Sequence, residues 1–430
     1  MKKYFVFAAM ALATFMNYSC SEVDKPGSPT TDVFYLDGKD YVANIVGTFQ
    51  GEVGAEVTLT LGVHDPFDVF AVDFGDGKLI VDTVCYQNGG LKDENGMTVE
   101  WRKSATVFKG TVAGKGIVTV YGNSDLWYMV LTGGIAPTSF NQERMQKLVQ
   151  MSISGANMEK VELPQLNELT HFTFTNSPVK SVDISKATAL TNLSIFNVAD
   201  SKFEPQLTTI DVSKNTKLEN ISMGYASYKK GALTSIDLSK NTALSSISLA
   251  NNQLKSVVLP QSTSATNLNV YLSDNELSEL VVPLKVRALE AQNNKLTKVT
   301  IADATYSCKL ENNALTIATL PVKPASLNST AKIKRFTYNP QADMEVTPAG
   351  AVVDLSAQAK AKGELTEEVA TTYTVKAGDA VLVADTDYKI EDGKITFLKS
   401  QKDVVVEMTT TAFPKLTALK TKAFDVTVAE

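Results

Sequence analysis

The side chains best suited to chemistry are few in this 430-residue chain: His64 and His171, Cys20, Cys85 and Cys308, and carboxylate pairs such as Asp73/Asp76 and Asp385/Asp387. A zinc site would need His and Cys at ligand spacing, and neither H-E-x-x-H nor C-x-x-C occurs. A nucleophilic serine would sit in G-x-S-x-G and a phosphate loop in G-x-x-x-x-G-K-[ST]; both are absent. Glycoside hydrolysis requires two carboxylates facing each other across a cleft. Asp385 and Asp387 stand instead in one turn-like segment. His64 follows a strand and reads as a loop residue, and His171 as an outward-facing one; both can titrate near neutrality as solvated imidazoles. Asp73 and Asp76, in Val72-Asp73-Phe74-Gly75-Asp76-Gly77, could hold a calcium ion between them, but capping a turn is the plainer use. The expectation is therefore no catalytic residue, no metal site, no cofactor and no enzyme.

What remains is binding. Thr173, Phe196, Tyr225, Tyr271, Arg287, Glu290, Tyr306 and Lys309 fall between the apolar positions of a repeated pattern, where side chains face outward. Exposed aromatics beside charged groups suit contact with a protein or a sugar. An ordinary wetted surface carrying scattered rings is the competing reading.

The elements that position these residues come from internal repetition. Val182–Ile195 (VDISKATALTNLSI), Ile210–Met223 (IDVSKNTKLENISM) and Ile236–Leu249 (IDLSKNTALSSISL) are one fourteen-residue phrase. The phrase extends into L-x-x-L-x-L-x-x-N-x-L, clearest in Leu244, Ile247, Leu249, Asn252, Leu254, Val257 and Leu259. About eight coils are expected, starting at 148, 169, 190, 218, 244, 267, 286 and 305. The last two apolar residues of L-x-x-L-x-L lie two apart and share one face of a strand. Each coil thus adds a strand to a parallel sheet, and only a stack buries the leucine row. The ninth-position Asn sits where the strand turns and can satisfy backbone groups there. The shorter steps, 19 to 23 residues, leave little room for a helix on the return.

Composition sets the frame: 44% hydrophobic, 20% charged and a net charge of −6. No basic block stands out, which argues against nucleic-acid binding. Lys2 and Lys3 precede an apolar stretch, Tyr4–Met16, too short to span a membrane as a mature helix. It ends in Asn17-Tyr18-Ser19-Cys20, which resembles a bacterial lipoprotein cleavage site, with residues 1–19 removed and Cys20 lipidated; an ordinary thiol near a signal-peptidase site is the alternative. That removal takes away two lysines and no acid, moving the charge to near −8. Residues 20–31, with Pro26, Gly27 and Pro29, read as a tether, and Glu22 and Asp24 resemble a surface-export signal. Cys308 reads as a core position, Cys85 as a strand end, and both as free thiols.

Period-two strands with turn signals fill the flanks. Residues 32–135 carry candidate strands at 56–63, 69–74, 78–84, 105–112, 117–121 and 126–131, with hairpin signals at Asp76-Gly77 and Asn95-Gly96. Their Asp-Phe-Gly-Asp-Gly turn resembles that of polycystic-kidney-disease (PKD) domains. Residues 334–430 carry strands at 371–375, 380–383, 394–398, 403–409 and 424–428, and resemble an immunoglobulin-like sandwich. Pro321, Pro324 and Pro340 mark the junction before it.

Together the lipoprotein-like leader, the D-F-G-D-G sandwich, the L-x-x-[LI]-D-[LV]-S-K-N repeats and the C-terminal β unit resemble the leucine-rich repeat surface lipoproteins of Bacteroidetes. The resemblance implies a mainly β chain: a leucine-rich repeat solenoid with a parallel sheet and few helices (148–320), flanked by two β-sandwich domains (32–135 and 334–430). It implies a monomer, anchored to the outer membrane through lipid at Cys20 and displayed at the cell surface. Non-enzymatic recognition of a protein ligand is the leading expectation. A glycan ligand captured for polysaccharide uptake is the alternative, and a hydrolase site in a sandwich domain the remote one. Sugar binding would favour two or three coplanar rings, whereas the rings here are spread over several coils.

Overall fold

The computed structural model describes residues 33–36, 39–42, 44–63, 68–84, 91–92, 98–99, 105–122, 125–140, 145–225, 229–263, 267–327 and 335–429. The leader, the tether, Cys20, His64, Cys85 and the Asn95-Gly96 turn lie outside them. The described chain is mainly β, with 44% strand, 2% helix and a parallel-sheet solenoid of about eight turns. It forms two compact units, 1–157 with 165–169 and 158–164 with 170–430.

In the first unit, Ala136–Phe140, Ile45–Gln50, Ile117–Tyr121, Asp68–Asp73 and Leu79–Val84 pair antiparallel in that order. A second sheet joins Thr106–Thr111, Glu56–Val63 and Leu126–Thr132. Alternation puts Leu59, Leu61, Phe70, Val72, Phe108, Val118, Val120 and Met129 in the core. The aspartates of the Asp73–Gly77 segment cap its turn. Asp73 Oδ1 accepts the N–H of Gly75 (2.7 Å) and of Gly77 (3.1 Å), and Asp76 Oδ1 accepts that of Lys78 (3.0 Å). Both glycines have positive φ, and a Cβ at Gly75 would lie 2.5 Å from the Ala113 carbonyl oxygen. Gln150–Ser154, the strand expected in the first coil, pairs in parallel with Leu126–Thr132 from Tyr128↔Gln150 to Leu131↔Ile153.

The second unit is built on eight parallel strands: β1 (His171–Thr175), β2 (Asn192–Phe196), β3 (Asn220–Ser222), β4 (Ser246–Ser248), β5 (Asn269–Tyr271), β6 (Glu279–Glu290), β7 (Lys298–Lys309) and β8 (Arg335–Thr337). Register keeps like positions in line, as in His171↔Asn192↔Asn220↔Ser246↔Asn269↔Ala288↔Ser307↔Arg335. The returns are turns and two-stranded ladders such as Ser235–Asp237 with Ser256–Val258. Strands β6 and β7 run from the return side onto the front sheet without a break. Their register slips between Val282 and Lys285, where Pro283 has no N–H for the ladder. Inside, Leu244, Leu249, Leu254, Leu272, Leu277, Leu289, Leu296 and Leu310 are fully buried. Each contributes about 1.5–3 kcal/mol by leaving water.

The corners are held by amide side chains. Asn275 Nδ2 donates to the carbonyls of Leu249 and Leu272 (both 3.0 Å), while its Oδ1 accepts the N–H of Leu254 (3.0 Å). Asn252, Asn294 and Asn313 repeat that pattern one coil apart. The residue before each rung is left-handed: Asn251, Asp274, Asn293 and Asn312 have φ between 53° and 60°. Asn and Asp tolerate that region best after glycine. Their side chains make an outer rail, with Asn293 Nδ2 on Asp274 Oδ1 (2.8 Å) and Asn312 Nδ2 on Asn293 Oδ1 (2.7 Å).

A second ladder belongs to the D-x-S-K-N-T phrase. Asp183, Asp211 and Asp237 each accept the N–H of the serine two residues on, at 2.8–2.9 Å. Buried Asn215 donates to the Ile184 and Ala187 carbonyls, and buried Asn241 to those of Val212 and Asn215.

The ladder runs past Leu320. Gln341 takes the next rung: its Nε2 donates to the Leu310 carbonyl (2.9 Å) and its Oε1 accepts the N–H of Leu315 (3.0 Å). Beyond it, Val352–Asp354, Lys394–Phe397 and Tyr388–Glu391 form one antiparallel sheet. Ala380–Val381, Thr372–Ala377, Gln401–Thr409, Leu419–Lys420 and Phe424–Val426 form another. Fully buried Tyr338 packs between Phe336 and Phe413, and its hydroxyl donates to Glu364 (2.8 Å). Gln358 Oε1 accepts the N–H of Ala318 (2.9 Å), so this C-terminal portion closes the end of the stack.

Asn275→Ala should lower stability in urea unfolding by about 3 kcal/mol, because it strands buried carbonyls and an N–H. Asn293→Gly should stay within about 0.5 kcal/mol, whereas Asn293→Val should cost about 1–2 kcal/mol for a branched residue in the left-handed region. The reverse order would show that the inner rung does not hold the coil. The Asp carboxyls sit below their ordinary range, Asp183 first through the Ser185 hydroxyl, Asp211 and Asp237 first through the backbone N–H of Ser213 and Ser239. A depressed value stabilises the fold above the unfolded carboxyl value of about 3.9 and the gain disappears as pH falls through the folded value. The unfolding temperature should therefore hold from pH 8 to 5 and drop below about pH 4, less steeply in Asp211→Asn/Asp237→Asn.

Candidate functional site

Three rows of side chains stand outward on the front sheet. On the early coils they are small and polar: Thr173 and Thr175 on β1, Ser194 on β2, Ser222 on β3 and Ser248 on β4. Thr173 lies beside Ser194, and half-buried Phe196 lies across from Thr175. At the row's edge His171 is held between two neighbours. Its Nδ1 lies 2.8 Å from the Thr170 hydroxyl and its Nε2 2.9 Å from Asn192 Nδ2. Asn192 Oδ1 in turn accepts from Asn220 Nδ2 (2.9 Å). Burial pushes the imidazole below its ordinary value, against the opposing charge of Glu219.

Tyr225 does not join this face. Its backbone keeps pairing with the next coil, the Tyr225 N–H donating to the Ala250 carbonyl (3.0 Å), but the ring folds onto Gly231, where a Cβ would lie 2.5 Å from it. Burial pushes the phenol well up. Repeat arithmetic gives Tyr225 an outward slot but cannot show that Gly231 lies against its ring.

The last coils bring five of the expected residues together. The Arg287 guanidinium lies over the Tyr306 ring at 4.6 Å, a stacking that a ring quadrupole favours. Arg287 Nη1 donates to Asn269 Oδ1 (3.1 Å). Lys309 Nζ pairs with Glu290 Oε1 at 2.7 Å, both side chains largely covered. Tyr271 is in register with Glu290 and Glu290 with Lys309. Burial first, and the Glu290 charge second, raise the Tyr271 phenol, with Arg287 and Lys309 opposing. The cluster therefore spans β5, β6 and β7. Sequence reasoning missed two residues here. Asn269 shows no signal except a polar side chain in an outward slot. Arg335 lay beyond the expected end of the repeats, and it stands exposed in register with Ser307.

Groups considered for chemistry serve structure. Asp387 accepts the Val383 N–H (2.9 Å) and meets Lys399 (3.2 Å), and Asp385 turns the chain at φ 63°. Cys308 is free and fully buried, and burial pushes its thiol up. Among the described residues no helix is long and apolar enough to cross a membrane.

No family model matches the chain, and no curated protein does. Among solved structures, the chain is similar to the functional domain of InlJ from Listeria monocytogenes, described as including a cysteine ladder. The two are 12% identical, with 68% of this chain and 88% of that chain covered at a TM-score of 0.18. A likeness of that size carries no argument, and the solenoid rests on the strand registers above.

Tyr271 should ionise at higher pH than an ordinary tyrosine in a spectrophotometric titration read against Tyr271→Phe. Glu290→Gln should bring that ionisation down only partway, because covering by neighbours outweighs the carboxylate. Full return to the ordinary value would mean that Glu290 alone shifts it.

Proposed function

We propose that this chain is a non-enzymatic recognition protein, anchored to the outer membrane through lipid at Cys20 and displayed at the cell surface. Its ligand is a protein, bound by the front sheet of the last coils. One observation carries the reading. Tyr271, Arg287, Glu290, Tyr306 and Lys309 stand on three adjacent strands, with Arg287 stacked on Tyr306, Glu290 ion-paired with Lys309, and Tyr271 in register with Glu290. Tyrosine and arginine are the side chains that most often dominate protein contacts. Strands held at about 4.8 Å spacing present them in one register, so little ordering entropy is lost on docking. The small side chains of β1–β4 leave room for a partner to lie across the sheet.

Photo-crosslinking on intact cells tests this. A benzophenone residue at Tyr271 or Tyr306 should give a protein adduct, and one at Lys240, on a return turn, should not. Adducts at Lys240 alone would sink the sheet-face reading, and specific retention on a glycan array without any adduct would favour the sugar ligand. The anchor has its own check: wild type should incorporate labelled palmitate and Cys20→Ala should not. Label in the alanine variant would dismiss Cys20 as the lipid site.

A further inference from the structure

The two arginines among the described residues, Arg287 and Arg335, both stand on the front sheet of the last coils. Every ion pair recorded among those residues uses a lysine instead. Arg287 spends one N–H on Asn269 and rests its plane on Tyr306. A guanidinium has five donors, so four remain. Arg335 lies in the same outward row as Ala288 and Ser307, with no recorded carboxylate partner. The spacing of parallel strands puts β8 about 5 Å from β7 and about 10 Å from β6. Ala288 and Ser307, both small and buried, hold the register positions on β6 and β7 next to Arg335.

Charge points the same way. On the front sheet Arg287, Lys309 and Arg335 stand against Glu290, and counting Glu311 just past the end of β7 still leaves one positive charge net on a chain of −6. Lys309 and Glu290 neutralise each other at 2.7 Å, which leaves Arg287, on Tyr306, and exposed Arg335 as the open cations of this end of the sheet. An arginine with its plane fixed in advance suits bidentate capture of a carboxylate better than a lysine does.

We infer that Arg287 and Arg335 form a two-pronged reader of carboxylate side chains, and that the protein partner brings an acidic segment to this end of the sheet. The inference rests on the sheet-face reading and names the chemistry of its partner.

The test uses the full chain and three acetylated, amidated octapeptides of alternating glycine with glutamate, glutamine or lysine, beside a heparin-derived octasaccharide. The glutamate peptide should bind at least tenfold more tightly than the glutamine one, with the advantage shrinking as salt rises. Arg287→Ala/Arg335→Ala should erase that advantage. Arg287→Lys should lose several-fold, since it keeps the charge and loses the fork. Lys186→Ala/Lys214→Ala, on return turns, should change nothing. Equal binding of the acidic and neutral peptides would overturn the inference, as would an advantage that survives the double arginine variant. Binding of the sulfated sugar in place of the glutamate peptide would overturn it too. Crosslinking from Tyr271 that persists alongside any of these failures would leave the sheet-face reading standing, and its loss would remove both.

Discussion

At one corner of the coil, repeated from Asn252 to Asn313, backbone carbonyls and an N–H face inward where water cannot reach them, and a single side-chain amide satisfies them. An asparagine carries both an acceptor and a two-proton donor on one short arm, so it can bridge its own coil to the coil before. Asn275 does so between Leu249, Leu254 and Leu272. That requirement holds one corner of the stack constant, so variation in coil length must be taken up elsewhere. The extra residues after β2 are placed accordingly, beyond the strand rather than within it.

The fixed corner also determines what the front sheet can offer. With strands locked in register, outward residues line up in rows whatever their identity, and recognition becomes a matter of which side chains occupy the row. Early coils carry serines and threonines. Later ones carry two tyrosines, two arginines and an ion pair. Arg287, Tyr306, Glu290 and Lys309 support one another across strands, so they owe their orientation to neighbours three-dimensionally adjacent but about nineteen residues apart in sequence.

Much of this was legible beforehand. The periodic aliphatic positions are core, the ninth-position asparagines do bridge backbone groups, and the strands of the flanks lie within a few residues of where alternation puts them. The unread parts share a cause. The left-handed turn before each rung shows in sequence only as an Asn or Asp in front of an Asn. Gln341 differs in type and follows a long insertion, so the sequence pattern stops at Leu320 although the ladder does not. Tyr225 has an outward slot by counting and a covered one by geometry, because Gly231 lies against its ring. Pairings such as Lys309 with Glu290 depend on lateral neighbours that no single coil reveals.

The final rung uses a side chain one methylene longer than its predecessors, and its backbone leads directly into the Tyr338 cluster. Gln341 and Asn313 are therefore not interchangeable, and the closed end cannot accept another copy of the unit. A copy of the unit added or removed between Asn252 and Asn313 would meet the same partners, because there one rung is chemically equivalent to the next. The length of the array can drift over generations while its terminus, and the arginine-bearing strand beside it, stays the same.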